Sequence, residues 1–265
     1  MAFSTNMHNL GIILSGGGAR GYAHAGVLQA LEEMGIFPDA VAGVSAGSII
    51  GTAYAAGMNA KELWDFAQGA NLRKALFPNM SFSGLISLNY VHDYLAKHIP
   101  HERIEDLPRP FTIGVSNLNS GEIELWTEGP LREAVMASCS IPLVFHPVEI
   151  NGHIYVDGGL LMNLPVPALR DKCRKIIGVN LMPQIPLTNE KLKGPLSMTS
   201  IAIRCFYLAV INNSKPWFDQ CDILIEAPEL YEYHLFHFGK LHEIREIGYR
   251  ATMARREEIE RVFSF

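Results

Sequence analysis

Leu10-Gly-Ile-Ile-Leu14 runs without a break into Ser15-Gly-Gly-Gly-Ala-Arg-Gly21, and a helical pattern follows with Val27, Leu28, Leu31 and Met34 on one face. A short apolar run bounded by turn residues reads as a buried strand, and apolar spacing of three and four reads as an amphipathic helix. Gly35 supplies the stop signal. The pattern then repeats: Ala40-Val-Ala-Gly43 is a second buried strand, and a small-residue helix runs to about Gly57. Strand, loop and helix twice over predict a three-layer α/β/α fold with a mainly parallel central sheet.

Downstream, a helix carries Leu63, Trp64 and Phe66 and ends before Phe77-Pro78. Phe111–Val115 and Glu122–Trp126 form a strand pair across the turn residues Asn117–Gly121. A helix starts near Leu131 and ends near Ile141-Pro142. Val148–Ile150 and Ile154–Val156 flank Asn151-Gly152, a two-residue hairpin signal. Ile176–Val179 and Asp222–Ile225 are further buried strands. Pro183–Pro195 reads as a surface loop, Met198–Ile211 as an apolar helix, and Phe238–Arg261 as one charged helix with Leu241, Ile244, Ile247 and Met253 at core spacing. No repeat or linker divides the chain, so residues 1–265 read as a single domain.

The chain of 265 residues is 48% apolar and 18% charged, with 22 basic against 27 acidic residues and a net charge of −5. That composition builds a core and excludes a disordered chain; a broad basic face for nucleic acid is hard to assemble from it. Cys139, Cys173, Cys205 and Cys221 show neither a Cys-x-x-Cys pair nor metal-ligand spacing, and read as reduced thiols. The first residues lack a basic cluster followed by an apolar run, so no cleaved leader is expected and the expected location is cytoplasmic. Ala40–Ala60 is uncharged, and Gly43, Gly47 and Gly51 repeat at the small-x-x-x-small spacing of membrane helices. Its many small and polar residues and few large aliphatics argue against a span.

Three motifs carry chemistry. Gly43-Val-Ser45-Ala-Gly47 is a Gly-x-Ser-x-Gly between strand and helix, in which flanking glycines clear the neighbours of a sharply turned, strained serine at a helix N-terminus. There the helix dipole and free amides favour a developing anion. Gly16-Gly17-Gly18-Ala19-Arg20-Gly21 can converge its amides into an anion nest and so serve as an oxyanion hole, with Arg20 adding charge or fixing the loop. The same glycines, Gly16, Gly18 and Gly21, also satisfy a dinucleotide fingerprint, but that reading needs an acid after the second strand, and Asp39 precedes it. Asp157-Gly158-Gly159 frees the backbone around a carboxylate for close approach; taken alone it is better read as an ordinary Asp turn, and it gains weight only from the other two motifs.

Together, the ordered set Gly-Gly-Gly-x-Arg-Gly, Gly-Val-Ser-Ala-Gly and Asp-Gly-Gly resembles the patatin-like phospholipases of the short bacterial type. Gly21–Leu28, Ala137–Pro142 with Phe145-His-Pro147, and Asn163-Leu-Pro165 extend the likeness over about residues 10–180. The resemblance implies hydrolysis of lipid or lysophospholipid acyl esters without metal or other cofactor. Ser45 would be the nucleophile and Asp157 its partner in a Ser-Asp dyad. Gly16, Gly17 and Gly18 would form the oxyanion hole, supported by Arg20; Gly43, Gly47, Gly158 and Gly159 would shape the two turns. Peripheral membrane contact and homo-oligomer formation are compatible with it. A non-catalytic lipid-binding module on the same scaffold is the alternative.

A Ser-His-Asp triad in α/β-hydrolase order would need His234, His237 or His242, which lie in a charged, aromatic stretch. His24 reads as a local hydrogen-bonding residue, and His146 and His153 as structural. Phe77–Ile86 is a candidate cap over an acyl pocket. Met198–Ile211 can line that pocket, touch a membrane, form a subunit interface, or pack as core, the last being favoured.

Overall fold

The computed structural model describes residues 7–70, 87–184 and 198–263. Eight strands form one sheet: β1 (His8–Leu14), β2 (Ala40–Gly43), β3 (Phe111–Asn117), β4 (Ile123–Trp126), β5 (Val148–Ile150), β6 (His153–Asp157), β7 (Cys173–Asn180) and β8 (Ile223–Glu226). The hydrogen-bonded order is β5-β6-β3-β2-β1-β7-β8, with β4 on β3. β3, β2, β1, β7 and β8 are parallel, whereas β4, β5 and β6 join antiparallel. The helices are α1 (Tyr22–Glu33), α2 (Ala46–Ala55), α3 (Ala60–Gly69), α4 (Asn89–His98), α5 (Leu131–Cys139), α6 (Met198–Ser214), α7 (Leu241–Met253) and α8 (Arg256–Phe263).

The parallel strands are buried on both faces, as their uninterrupted apolar runs require. On β1, Leu10, Ile12 and Leu14 enter the larger core with α1, α2, α5 and α7, while Ile13 faces a second core of Leu164, Val166, Leu169 and Ile176. α1 and α7 cross closely: a Cβ on Gly26 would lie 2.0 Å from the Arg245 carbonyl oxygen, and one on Gly248 would lie 2.2 Å from that of Ala23. The chain beyond residue 180 thus completes the same sheet and core.

One feature of the register builds the site. Ile113 pairs with both Gly43 and Trp126, and Val115 with both Glu124 and Asp157. A strand residue has only two flanks, so β2 and β6 share one flank of β3 and meet end to end. β2 stops at the level of Ile113, β6 arrives from the opposite direction at the level of Val115, and both chains must leave the sheet where they meet.

Two expectations change. The C-terminal segment forms two helices, broken at Ala254–Arg255, where the Arg255 guanidinium donates to the Leu224 carbonyl and pairs with Glu258. α4 was not foreseen. The glycine repeat of Ala40–Ala60 belongs to packing of α2 on the sheet: a Cβ on Gly43 would meet the Gly47 carbonyl oxygen at 2.5 Å, and one on Gly51 the Phe111 ring at 2.8 Å. Among the described residues no helix is long and apolar enough to cross a membrane. The candidate cap at 77–86 lies outside the described residues, as does most of the 183–195 loop.

Candidate active site

Ser45 sits between β2 and α2 with φ 53° and ψ −125°, a conformation that side-chain-bearing residues adopt only when neighbours enforce it. Those neighbours are identifiable. Val44 N–H donates to the Leu14 carbonyl (3.1 Å), and Ser45 N–H donates to Ser138 Oγ (2.9 Å), whose own hydroxyl donates to the Gly114 carbonyl (2.8 Å). Ser48 Oγ donates to the Ser45 carbonyl (2.7 Å), tying the turn to the first turn of α2.

Asp157 ends β6 and is 2% exposed. Its Oδ1 accepts the Gly159 N–H at 2.7 Å, and its own N–H donates to the Ser140 carbonyl at 3.0 Å. Burial pushes its carboxyl up to about 7, against the opposing pull of hydrogen-bonding contacts with the Ser45 hydroxyl and the Gly159 amide. The following glycine is needed for the approach: a Cβ on Gly158 would lie 2.2 Å from the Gly114 carbonyl oxygen.

The glycine loop closes over this pair. A Cβ on Gly16 would lie 3.0 Å from Ser45 Cβ, so the two backbones run side by side. Gly18 has φ 56° and lies against Leu235, whose carbonyl accepts the Ala19 N–H at 2.7 Å. The Gly16 amide is already engaged, donating to Asn163 Oδ1 at 3.0 Å. Among the described residues the Gly17 and Gly18 amides have no acceptor. Arg20, 2% exposed, is held without a carboxylate partner: Nε donates to the Tyr233 carbonyl (2.8 Å) and Nη1 to Tyr207 Oη (2.7 Å). It ties the loop to α6 and to the segment before α7.

The dinucleotide reading finds no support in these contacts. The Asp39 carboxylate accepts the Asn9 and Leu10 amides, each at 3.0 Å, at the opposite end of β2 from Ser45. Gly21 is small because Ala46 packs against it, where a Cβ would lie 2.6 Å from the Ala46 Cβ. The histidines stand apart. His24 donates through Nε2 to the Ser15 carbonyl (2.8 Å), and burial pulls its ring down to about 4, leaving it neutral. His234 and His237 meet edge to face at 4.9 Å on the surface, and His242 lies against Trp64 at 5.1 Å. The pKa of the Asp157 carboxyl is moved by burial, Ser45 and Gly159 among the described residues.

An apolar pocket, partly open to solvent, lies beside Ser45, lined by Gly18, Ile49, Leu88, Val91, Cys139, Ile141, Phe145 and Phe236. The inner face of α6 packs Tyr207, Val210 and Ile211 on Met182 and Leu235 rather than lining this cavity. A hydroxyl beside a buried, readily protonated carboxyl, close to a glycine loop and next to an apolar cavity, is equipped to attack the ester of an apolar acid. The structure brings Ser45, Asp157 and the glycines that the motifs singled out to one place. Motif reading missed the hydrogen-bonding of Ser138 and Asn163, for which the only signal was their position inside the Ala137–Pro142 and Asn163-Leu-Pro165 segments.

The family description Patatin, patatin-like phospholipase, matches residues 12–170. An uncharacterised NTE family protein of Mycobacterium tuberculosis is 37% identical over 161 residues, covering 58% of this chain and 44% of that protein. Lysophospholipase NTE1 of Saccharomyces cerevisiae is 28% identical over 267 residues, covering 90% of this chain and 16% of that one. The chain thus spans under half the length of these curated relatives. The crystal structure of VipD from Legionella pneumophila shares the fold at a TM-score of 0.54 and 18% identity, over 95% of this chain and 67% of that one. With three motifs in family order and the family match extending from β1 to beyond β6, this chain belongs to the patatin-like phospholipase family.

Proposed function

We propose that this protein is a serine acyl hydrolase acting on lipid or lysophospholipid esters. The observation that carries this reading is that β2 and β6 abut, setting the Ser45 turn beside the buried Asp157 carboxyl, whose pKa the Ser45 hydroxyl pulls down, at the edge of an apolar cavity. Asp157 takes the Ser45 proton as Oγ attacks the ester carbonyl carbon. The oxyanion is held by the Gly17 and Gly18 amides; the Gly16 amide, given to Asn163, fixes the loop instead of donating to substrate. The carbon–oxygen bond to the alcohol then breaks, Asp157 returns the proton to the leaving oxygen, and an acyl-Ser45 remains. Water, deprotonated by Asp157, releases the fatty acid and regenerates the hydroxyl. Removing one such amide donor costs on the order of 10²–10³ in rate.

The cavity is the acyl site on this reading, its apolar lining matching a fatty-acid chain. Exposed Phe236, at the cavity, and Leu143, just beyond cavity-lining Ile141, form an apolar rim through which the protein meets a lipid surface. Co-sedimentation with phosphatidylcholine vesicles should weaken in a Phe236→Ser, Leu143→Ser double variant; unchanged sedimentation refutes the rim.

A fluorophosphonate probe should label Ser45, and Ser45→Ala should abolish both labelling and hydrolysis of a panel of phospholipid, lysophospholipid, monoacylglycerol and short-chain esters. Retained hydrolysis in that variant overturns the assignment. A folded wild type that takes no probe and hydrolyses no ester favours the non-catalytic lipid-binding alternative.

A further inference from the structure

Asn163 is 1% exposed and lies on neither a strand nor a helix, yet its backbone N–H and its side-chain oxygen are both committed. Its backbone N–H donates to Asn213 Oδ1 on α6 at 2.9 Å. Asn213 Nδ2 donates in turn to the Gly159 and Leu160 carbonyls at 2.8 and 3.1 Å. The side-chain Oδ1 accepts the Gly16 N–H. Because Gly16 presents a donor, the carboxamide has one usable orientation: flipping it would set N–H against N–H. Asn163 Nδ2 is consequently fixed as well, buried and, among the described residues, without a hydrogen-bond partner.

The carboxamide lies between the two halves of the site. A Cβ on Gly16 would fall 2.5 Å from Asn163 Oδ1, and one on Gly159 would fall 3.0 Å from that oxygen and 2.9 Å from Asp157 Oδ1. Gly16 runs beside Ser45; Gly159 donates to Asp157. One side chain therefore spans from the turn that holds the carboxylate to the loop whose next two amides are unengaged. The amide plane between Ser15 and Gly16 is held from both ends, since His24 donates to its carbonyl and Asn163 accepts its N–H. The next two planes are restrained in turn: the Ser15 hydroxyl donates to the Gly16 carbonyl (3.1 Å) and the Arg20 N–H to the Gly17 carbonyl (3.1 Å), the carbonyls that share planes with the Gly17 and Gly18 amides. A preorganised donor pair needs such a clamp, because amides free to rotate would have to be reoriented as charge develops.

We infer that Asn163 is a positioning residue that clamps the glycine loop through the Gly16 amide and sets its register against the Asp157 turn. This rests on the hydrolase reading above, but its first test does not. In Asn163→Ala, amide hydrogen exchange of the segment containing Gly16–Gly18 should accelerate by about tenfold or more while α1 and α5 keep wild-type protection. In Asn163→Asp the carboxylate still accepts the Gly16 N–H, so that segment should keep wild-type exchange. Wild-type exchange in Asn163→Ala, or equal acceleration in both variants, overturns the clamp whether or not any ester is hydrolysed.

Two kinetic readouts separate the clamp from a merely structural role. Asn163→Ala should lower kcat on the order of 10²-fold with KM changed by less than about threefold, the pattern of an interaction felt in the transition state. Asn163→Asp should keep more of kcat but move the acid limb of its pH profile upward, because a second carboxylate disfavours ionisation of Asp157. A wild-type kcat in Asn163→Ala, or a loss that only parallels a fall in the folded fraction, refutes the inference; Ser45→Ala tests the hydrolase reading separately.

Discussion

Gly47 lies so close under the end of β1 that a Cβ on it would fall 2.1 Å from the Leu14 carbonyl oxygen. That contact joins the two loops of the site, since Leu14 leads into the glycine loop and Gly47 follows Ser45. Gly47→Ala should destabilise the protein by about 1–3 kcal/mol in chemical denaturation and abolish hydrolysis, because neither backbone can yield alone. Gly239→Ala, where a Cβ meets nothing within 4 Å, is the control and should stay within about 0.5 kcal/mol of wild type.

The buried carboxyl gives the rate a pH signature. Asp157 must be ionised to accept a proton, and its carboxyl is pushed up to about 7. kcat/KM should therefore fall below about pH 7, approaching tenfold per pH unit. A free histidine would titrate in the same region, so the profile must be repeated with His234, His237 and His242 all replaced by Gln. An unmoved limb assigns it to Asp157; its disappearance would restore a triad.

The same group should make the protein less stable as pH rises. Between 3.8 and about 7 the unfolded carboxyl is ionised while the folded one holds its proton, so folding takes up a proton and stability declines across that window. Asp157→Asn removes the cost of burying a charge. It should be inactive yet more stable than wild type by about 1–3 kcal/mol at pH 8, with the difference shrinking toward pH 4. Parallel denaturation curves at the two pH values would contradict this.

Val91, 5% exposed on α4, lines the cavity proposed to take the acyl chain. Val91→Phe should shorten the chain that fits. Each methylene excluded loses about 0.8 kcal/mol, or roughly fourfold in kcat/KM, so long-chain esters should suffer tenfold or more while short-chain esters change by less than about twofold. An even loss across chain lengths would mean that the acyl group lies elsewhere.

The elements that a reader could find in the sequence are those whose determinants are local. β1, the glycine turn and α1 follow from an apolar run, three glycines and one amphipathic face. Asn151-Gly152 adopts φ 52° and 79°, both positive as the tightest hairpin turn demands. What could not be read is set by distant partners. The break between α7 and α8 contains no Gly or Pro; it is made where Arg255 reaches β8. α4 buries only Val91 and Leu95 fully, too few to stand out as a stripe. Within the site, motif spacing reaches Ser45 and Asp157, whereas the capture of the Gly16 amide by Asn163 joins positions 147 apart in the chain.

Because β2 and β6 abut on a single flank of β3, the hydroxyl comes from an early, locally connected β-α-β unit and the carboxyl from a hairpin synthesised much later. A nascent chain can therefore complete the serine turn while the place of its partner is still empty, and it remains chemically inert until the hairpin docks. On the proposed hydrolase reading, turnover waits for that hairpin to dock, and its return should lag behind helix content during refolding.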